Sequence, residues 1–202
     1  MTKFISGRNI AAFALLIFIS IFSFFLYKYT IAPGVIWGDS AKLTIFAYEN
    51  NPRWDDAVGG HPAHTIASAF FSKFIGGENY AYKINLFSAL CGSLSIFSVM
   101  IIVFISCKKI YSSIAAGCAL MVSHTFWSYS VVAESYTMIT FVALLDILLI
   151  LLAIKTKKYL ILFISGCILA LSIMVNSLLI VSSIGMYYII IKFFQKKALK
   201  YL

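Results

Sequence analysis

Long uncharged apolar runs alternate along the chain with short polar segments that are mostly basic. A helix that crosses a bilayer needs about 20 consecutive apolar residues, and several runs approach or exceed that length. The last run, 159–191, is too long for one crossing, so we divide it at Asn176-Ser177. The predicted spans are 10–27, 84–107, 110–133, 135–154, 159–175 and 178–194. The pattern therefore predicts an all-α fold, a polytopic transmembrane bundle of about six helices within a single module, 1–202.

The segment 28–83 is the one long polar loop between these runs. Ser40 can cap a short amphipathic helix over 40–48. A second apolar helix, over 64–75, is too short to cross and should lie in the membrane interface. The stripe along that helix is formed by Ile66, Phe70 and Phe74.

The composition supports a membrane protein, because 62% of the 202 residues are hydrophobic and only 11% are charged. The net charge of +9 does not indicate nucleic-acid binding, since the basic residues sit between apolar runs. The four cysteines also lie in or beside apolar runs and are interpreted as core residues. We therefore expect no metal, no cofactor and no nucleic-acid partner.

The distribution of charge predicts the orientation in the membrane. With the N-terminus inside, eleven of the 16 basic residues fall in cytoplasmic segments, namely Lys3, Arg8, Lys108, Lys109, Lys155, Lys157, Lys158, Lys192, Lys196, Lys197 and Lys200. Six of the seven acids fall outside, namely Asp39, Glu49, Asp55, Asp56, Glu78 and Glu134. By the positive-inside rule both termini are cytoplasmic and the loop 28–83 is external. The membrane would be a bacterial inner membrane or its equivalent.

Asp39 and Glu134 are the candidate catalytic residues. Asp39 follows the first span by about a dozen residues, and Glu134 lies at the outer end between the third and fourth spans. Two carboxylates from different segments can converge on one external pocket, where one accepts a proton from a hydroxyl and the other orients it. The alternative is that Asp39 only caps its helix and Glu134 is a solvated turn residue.

Further polar and aromatic residues are candidates for substrate binding. The external cations Lys42, Arg53 and Lys83 could hold a lipid phosphate, or they could simply meet lipid headgroups. His61 and His64 are too few for a metal site without a third ligand, and such residues also serve as polar anchors. A cluster at the outer end of the third span could line a sugar site or anchor the interface, namely His124, Trp127, Tyr129 and Tyr136. Asp146, inside the fourth span, is expected to make a structural hydrogen bond.

Four stretches resemble one family. They are Gly38-Asp39-Ser40-Ala41-Lys42-Leu43, His61-Pro62, 82–90 with the sequence YKINLFSAL, and 125–136 with FWS and AESY. In this order they are similar to the protein O-mannosyltransferase-like membrane proteins of the GT-C glycosyltransferase class. The resemblance spans roughly 38–136.

The resemblance implies a GT-C-like enzyme that takes a sugar from a polyprenyl-phosphate carrier on the outer face and passes it to an acceptor hydroxyl of a protein or glycan. It also implies that Asp39 is the catalytic base and Glu134 a second acid of the pocket. The alternative is an inactive or truncated relative that acts as a lipid-binding scaffold or partner subunit. The short chain favours that alternative, as does Lys42, where the family has a carboxylate. We expect either the N-terminal part of such an enzyme or a chain truncated at its C-terminus.

Overall fold

The computed structural model describes residues 7–36, 38–52 and 61–176, together with positions 179, 184, 185, 187, 188 and 191. Within these residues every regular element is a helix, which confirms the predicted all-α class. The helices are α1 (Gly7–Tyr29), α2 (Ser40–Tyr48), α3 (Pro62–Ser72), α4 (Tyr80–Cys107), α5 (Ile110–Met121), α6 (His124–Ser130), α7 (Tyr136–Thr156) and α8 (Tyr159–Ile173).

Three of these helices are long and apolar enough to cross a membrane, namely α1 from Ile10, α4 and α7. They contain or closely match the predicted spans 10–27, 84–107 and 135–154. The apolar helices α5 and α8 are shorter. The predicted span 178–194 falls largely outside the described residues. These features establish an integral membrane protein with a helical bundle.

The predicted span 110–133 is wrong as a single helix. Helix α5 ends at Met121. A second helix, α6, begins at His124, because Ser123 takes up an extended backbone conformation. The hydroxyl of Tyr27 donates a hydrogen bond to the carbonyl oxygen of Met121 at 3.0 Å. A carbonyl at the end of a helix has no partner within the helix, so this bond from α1 stabilises the break.

Helix α4 lies at the centre of the bundle and packs against α1, α3, α5, α6 and α7. Glycines allow two of its neighbours to approach closely, as is common between membrane helices. A side-chain carbon at Gly92 would lie 2.6 Å from Ser130 Oγ and 3.2 Å from Tyr27. One at Gly117 of α5 would lie 2.4 Å from Met100. The central helix therefore depends on small residues at its contacts.

Helices α2 and α3 lie where the sequence predicts helices, and they run parallel to each other. The Tyr80 hydroxyl joins their C-terminal turns, because it donates to the carbonyl oxygen of Ala47 at 2.8 Å and accepts from Ser72 Oγ at 3.1 Å. Their N-terminal ends also lie near one part of α4, because His64 packs against Phe87 and Glu134, bonded to Ser88, lies against Gly38. Ser40 is the first helical residue rather than the cap, and Asp39 occupies the N-cap position.

Helix α3 has its apolar side outward. The predicted stripe is exposed, at 48% for Ile66, 61% for Phe70 and 71% for Phe74. The opposite side carries buried polar residues, including His64 and Ser68. This distribution suits a helix that presents its apolar side to lipid and its polar side to the protein.

The charges divide between the two ends of the bundle. Lys155 Nζ donates to the Ile105 carbonyl oxygen at 2.6 Å, so the C-termini of α4 and α7 lie together. Ser88 and Glu134 are hydrogen-bonded, so the N-terminal ends of the same helices also lie together. The lysines at the first end are Lys108, Lys109, Lys155, Lys157 and Lys158. Within the described residues, all acids except Asp146 lie toward the other end of these helices.

We predict that Gly92→Ala lowers the free energy of unfolding by about 1–3 kcal/mol, because the added carbon would overlap with Ser130. Gly166→Ala is the matched control, since the nearest atom to its added carbon is 3.9 Å away. Unfolding in mixed micelles with increasing sodium dodecyl sulfate measures the free energy of unfolding of both variants. Equal stability of the two variants would contradict the close packing of α4 on α6.

Candidate functional site

Gly38 brings the start of α2 against Glu134. Its φ of +70° lies in the left-handed region that glycine adopts without strain. A side-chain carbon on Gly38 would lie 3.5 Å from Glu134 Oε1, so the carboxyl group of Glu134 rests against this turn. Asp39 follows directly and is half-buried. The two carboxyl groups predicted as catalytic therefore lie in one region.

The segment before Gly38 is held by α4. Asn85 Nδ2 donates to the carbonyl oxygens of Ala32 at 2.9 Å and of Gly34 at 3.1 Å. Asn79 Nδ2 donates to the Pro33 carbonyl oxygen at 2.6 Å. These bonds fix the end of the loop that carries Asp39.

The same segment is tied to the residues that precede Glu134. The Ala32 amide donates to the Val131 carbonyl oxygen at 3.0 Å. Ser88 Oγ accepts from the Glu134 amide at 3.3 Å and donates to the Glu134 carbonyl oxygen at 3.4 Å. Helix α4 thus positions both carboxyl groups: Asn85 holds the segment before Asp39, and Ser88 holds the backbone of Glu134.

Glu134 has an altered acidity. Its side chain is 7% exposed, and burial together with the negative charge of Asp39 raises its pKa to about 7. Both causes disfavour the charged carboxylate. Near neutral pH, Glu134 can therefore hold a proton, so its carboxyl group can donate a hydrogen bond.

Asp39 does not cap α2, although it occupies the cap position. Its side chain makes no capping hydrogen bond to the helix. The alternative in which Asp39 serves only as a cap therefore has no support in the geometry. Glu134 is likewise buried, so it is not a solvated turn residue.

Tyr136 lies near both carboxyl groups. Its phenol is within electrostatic reach of both Asp39 and Glu134. The ring packs against that of Tyr129, with centroids 4.5 Å apart, and the side chain is 48% exposed. The exposed ring of Tyr136 and the half-buried ring of Tyr129, beside two carboxyl groups, can contact the faces of a sugar. The sequence analysis placed both Tyr129 and Tyr136 in this region, and the contact between their rings is what the structure adds.

The remaining candidates are spread around this end of the bundle. Lys42 is exposed in the first turn of α2, and Lys83 is half-buried in the first turn of α4. Trp127 donates its Nε1–H to Thr30 Oγ1 at 3.1 Å and packs edge-on against Tyr27. That contact attaches α6 to α1. Arg53 lies outside the described residues.

The two histidines occupy different environments. His61 precedes α3 and donates from Nδ1 to the Val175 carbonyl oxygen beyond α8. His64 is fully buried, packs edge-on against Phe87, and neither of its ring nitrogens has a hydrogen-bond partner. Burial, and then the neighbouring His61, lower the pKa of His64 to about 3, so its imidazole is neutral. Within the described residues no group of three His, Cys, Asp or Glu side chains could hold a metal ion.

Sequence reasoning missed a set of buried polar side chains in α2, α3 and α4, which includes His64. Four of them also carry an atom without a hydrogen-bond partner, namely Ser40, Thr44, Thr65 and Asn85. They lie on the buried sides of α2, α3 and α4. An unpaired buried polar atom costs about 1–3 kcal/mol, so such a concentration is unusual in a closed core. The sequence did contain a signal for this buried polar side. Ser40 and Thr44 are four residues apart on α2, as His64 and Ser68 are on α3, so each pair lies on one side of its helix.

These features define a polytopic helical membrane protein with two adjacent carboxyl groups at one end of the bundle. Residues 58–197, more than half of the chain, match the family described as the N-terminal domain of protein O-mannosyl-transferase TMEM260. The chain therefore belongs to this family and is a protein O-mannosyltransferase-like membrane protein. The match includes Glu134 and begins after Asp39. No curated protein and no solved structure shows a match.

Replacing Glu134 should change how stability depends on pH. Because the pKa is raised on folding from 4.5 to about 7, the stabilising protonated form is fully present below pH 4.5 and is lost as the pH rises through 7. Glu134→Gln cannot lose a proton, so above pH 7 it should exceed the wild type by up to about 3 kcal/mol. Unfolding titrations from pH 4.5 to 8 measure this difference. A difference that does not vary with pH would contradict the burial of Glu134.

Proposed function

We propose that the protein is a membrane glycosyltransferase, or the N-terminal module of one, that transfers a sugar from a polyprenyl-phosphate donor to an acceptor hydroxyl. The juxtaposition of Asp39 and Glu134 is the observation that carries this proposal. Membership of the protein O-mannosyltransferase family supports the reaction class. The donor, the acceptor and the residue roles below belong to the proposal.

Asp39 is the base in the proposed mechanism. Its carboxylate accepts the proton of the acceptor hydroxyl as that oxygen attacks the anomeric carbon of the sugar. The bond between the anomeric carbon and the phosphate oxygen breaks, and its electron pair leaves with the polyprenyl phosphate. The displacement inverts the configuration at the anomeric carbon. Glu134, protonated near neutral pH, orients the reacting hydroxyl by a hydrogen bond.

The departing phosphate requires positive charge nearby. The parallel arrangement of α2 and α3 places both N-termini at the same end, and helix N-termini favour anions. Lys42 lies in the first turn of α2, and His61 directly precedes α3. We assign Lys42 and the two helix N-termini to the phosphate, because positive charge stabilises the negative charge that develops on it, and we assign His61 to a hydrogen bond with it. Lys83, in the first turn of α4, supplies a further cation at this end.

The proposed site faces the external side of the membrane. The lysine-rich turns lie at one end of α4 and α7, whereas Asp39 and Glu134 lie at the other. Cytoplasmic segments of membrane proteins are enriched in lysine and arginine. This separation supports cytoplasmic lysine turns and an external carboxyl pair. The exposed apolar stripe of α3 would then lie in the outer interface, where the lipid part of the donor is found.

Asp39→Asn should abolish transfer from a polyprenyl-phosphate mannose donor, since the amide cannot accept the proton. General-base catalysis typically contributes about 100- to 10,000-fold to a rate, so we expect a loss of at least 100-fold. Initial rates with radiolabelled donor and membranes that contain the full-length protein provide the measurement.

Glu49→Gln is the control, because it removes the same charge at the exposed opposite end of α2. It should retain wild-type transfer. Turnover by Asp39→Asn at the wild-type rate would refute the assignment of the base. Donor binding by the wild type without transfer to any acceptor would instead favour a lipid-binding scaffold.

A further inference from the structure

A cavity of about 480 Å³ opens at the end of the bundle opposite to Asp39. It lies between Ala12 of α1, Phe104 of α4 and residues 108–112, which form the turn from α4 into α5. Neither candidate carboxyl group lines it. The cavity is therefore separate from the proposed catalytic site.

The lining of this cavity has two chemically different parts. Ala12 and Phe104 provide an apolar wall within the bundle, and Phe104 is fixed by an edge-on contact with Phe13 at 5.9 Å. Lys108 and Lys109 provide positive charge at the rim. Tyr111 and Ser112, which carry hydroxyl groups, also line the cavity. A ligand that fits both parts has an apolar chain and an anionic head.

The charge around the cavity has one sign. Among the residues that the structure describes, none that lines the cavity is acidic. Lys155 at the end of α7 is close enough to Lys108 for the two charges to interact. Three lysines thus gather where the helices reach the membrane surface, and such clusters attract anionic lipid headgroups.

We propose that this cavity binds an anionic phospholipid. The phosphate group lies between Lys108 and Lys109, with Tyr111 and Ser112 as hydrogen-bond donors. An acyl chain follows the apolar wall of Ala12 and Phe104. A free phosphate ion shares the headgroup chemistry but cannot use the apolar wall, so experiment can separate the two sources.

The chain contains a matched control turn. Lys157 and Lys158 join α7 to α8 as Lys108 and Lys109 join α4 to α5. The first lysine of each pair has a left-handed backbone, with φ of 56° and 59°, and the second is extended. Lys157 and Lys158 do not line the cavity. Replacing either pair therefore changes the same charge in the same type of turn.

The test is lipid binding by native mass spectrometry of the intact protein, with phosphatidylglycerol titrated into a neutral detergent. Each surface lysine contributes about fivefold to the affinity for an anionic lipid. The double variant Lys108→Gln/Lys109→Gln should therefore bind phosphatidylglycerol about 25-fold more weakly than the wild type. The pair Lys157→Gln/Lys158→Gln should lose no more than about twofold. Circular dichroism checks that both variants keep their helices. Equal losses in the two pairs would refute a defined site.

A second variant tests the apolar wall. Ala12→Leu adds bulk beside Phe104 while leaving both lysines in place, so it should weaken binding of phosphatidylglycerol and spare that of inorganic phosphate. Competition by inorganic phosphate should be weak with the wild type. Full displacement of the lipid by phosphate at the same concentration, with no effect of Ala12→Leu, would overturn the lipid assignment in favour of a free anion.

Discussion

The candidate site depends on the buried amide of Asn85. This side chain is fully buried in the central helix and holds the carbonyl groups of Ala32 and Gly34, in the segment that leads from α1 to α2. Backbone carbonyls of an irregular segment need such partners where water is excluded. Through these bonds, the segment before Gly38 is placed at a fixed position on α4. Ser88, one turn further along the same side of α4, holds the backbone of Glu134.

Polarity in this end of the molecule is reversed relative to a soluble domain. Helix α3 exposes Phe70 and Phe74 and buries His64 and Ser68. Lipid accommodates apolar side chains, so the polar residues can gather inside the protein, where they find each other or a substrate. His64 was predicted as a surface anchor or binding residue, and its burial as a neutral imidazole is intelligible only in this environment. The same exclusion of water raises the pKa of the Glu134 carboxyl group.

The sequence predicted the parts of the fold that follow from hydropathy and turn chemistry. Uncharged runs located α1, α4 and α7, and the boundaries of α2 were predicted from its flanking polar residues. The break after Met121 was missed because the run 110–133 carries no charge, although the polar triplet Ser123-His124-Thr125 marks it locally. The hydroxyl of Tyr27, 94 positions earlier in the chain, stabilises it by a hydrogen bond to the Met121 carbonyl oxygen.

The candidate site, like the fold, could be predicted from the sequence only in part. The residue types at Asp39 and Glu134 suggested two carboxyl groups on one side of the membrane, but not how they meet. Their proximity depends on the left-handed backbone of Gly38 and on hydrogen bonds between distant segments. The position of Trp127 suggested an interfacial anchor or a sugar contact, but not the hydrogen bond from its indole to Thr30.

The proximity of the two carboxyl groups is the central claim, and titration of Glu134 tests it most directly. Carbon-13 NMR of glutamate-labelled protein, with Glu134→Gln to assign the signal, gives the pKa in the wild type and in Asp39→Asn. We expect a pKa of about 7 in the wild type. In Asp39→Asn it should fall but stay above 4.5, because burial remains while the neighbouring negative charge is lost. An identical pKa in the two proteins would contradict the pairing of Asp39 with Glu134.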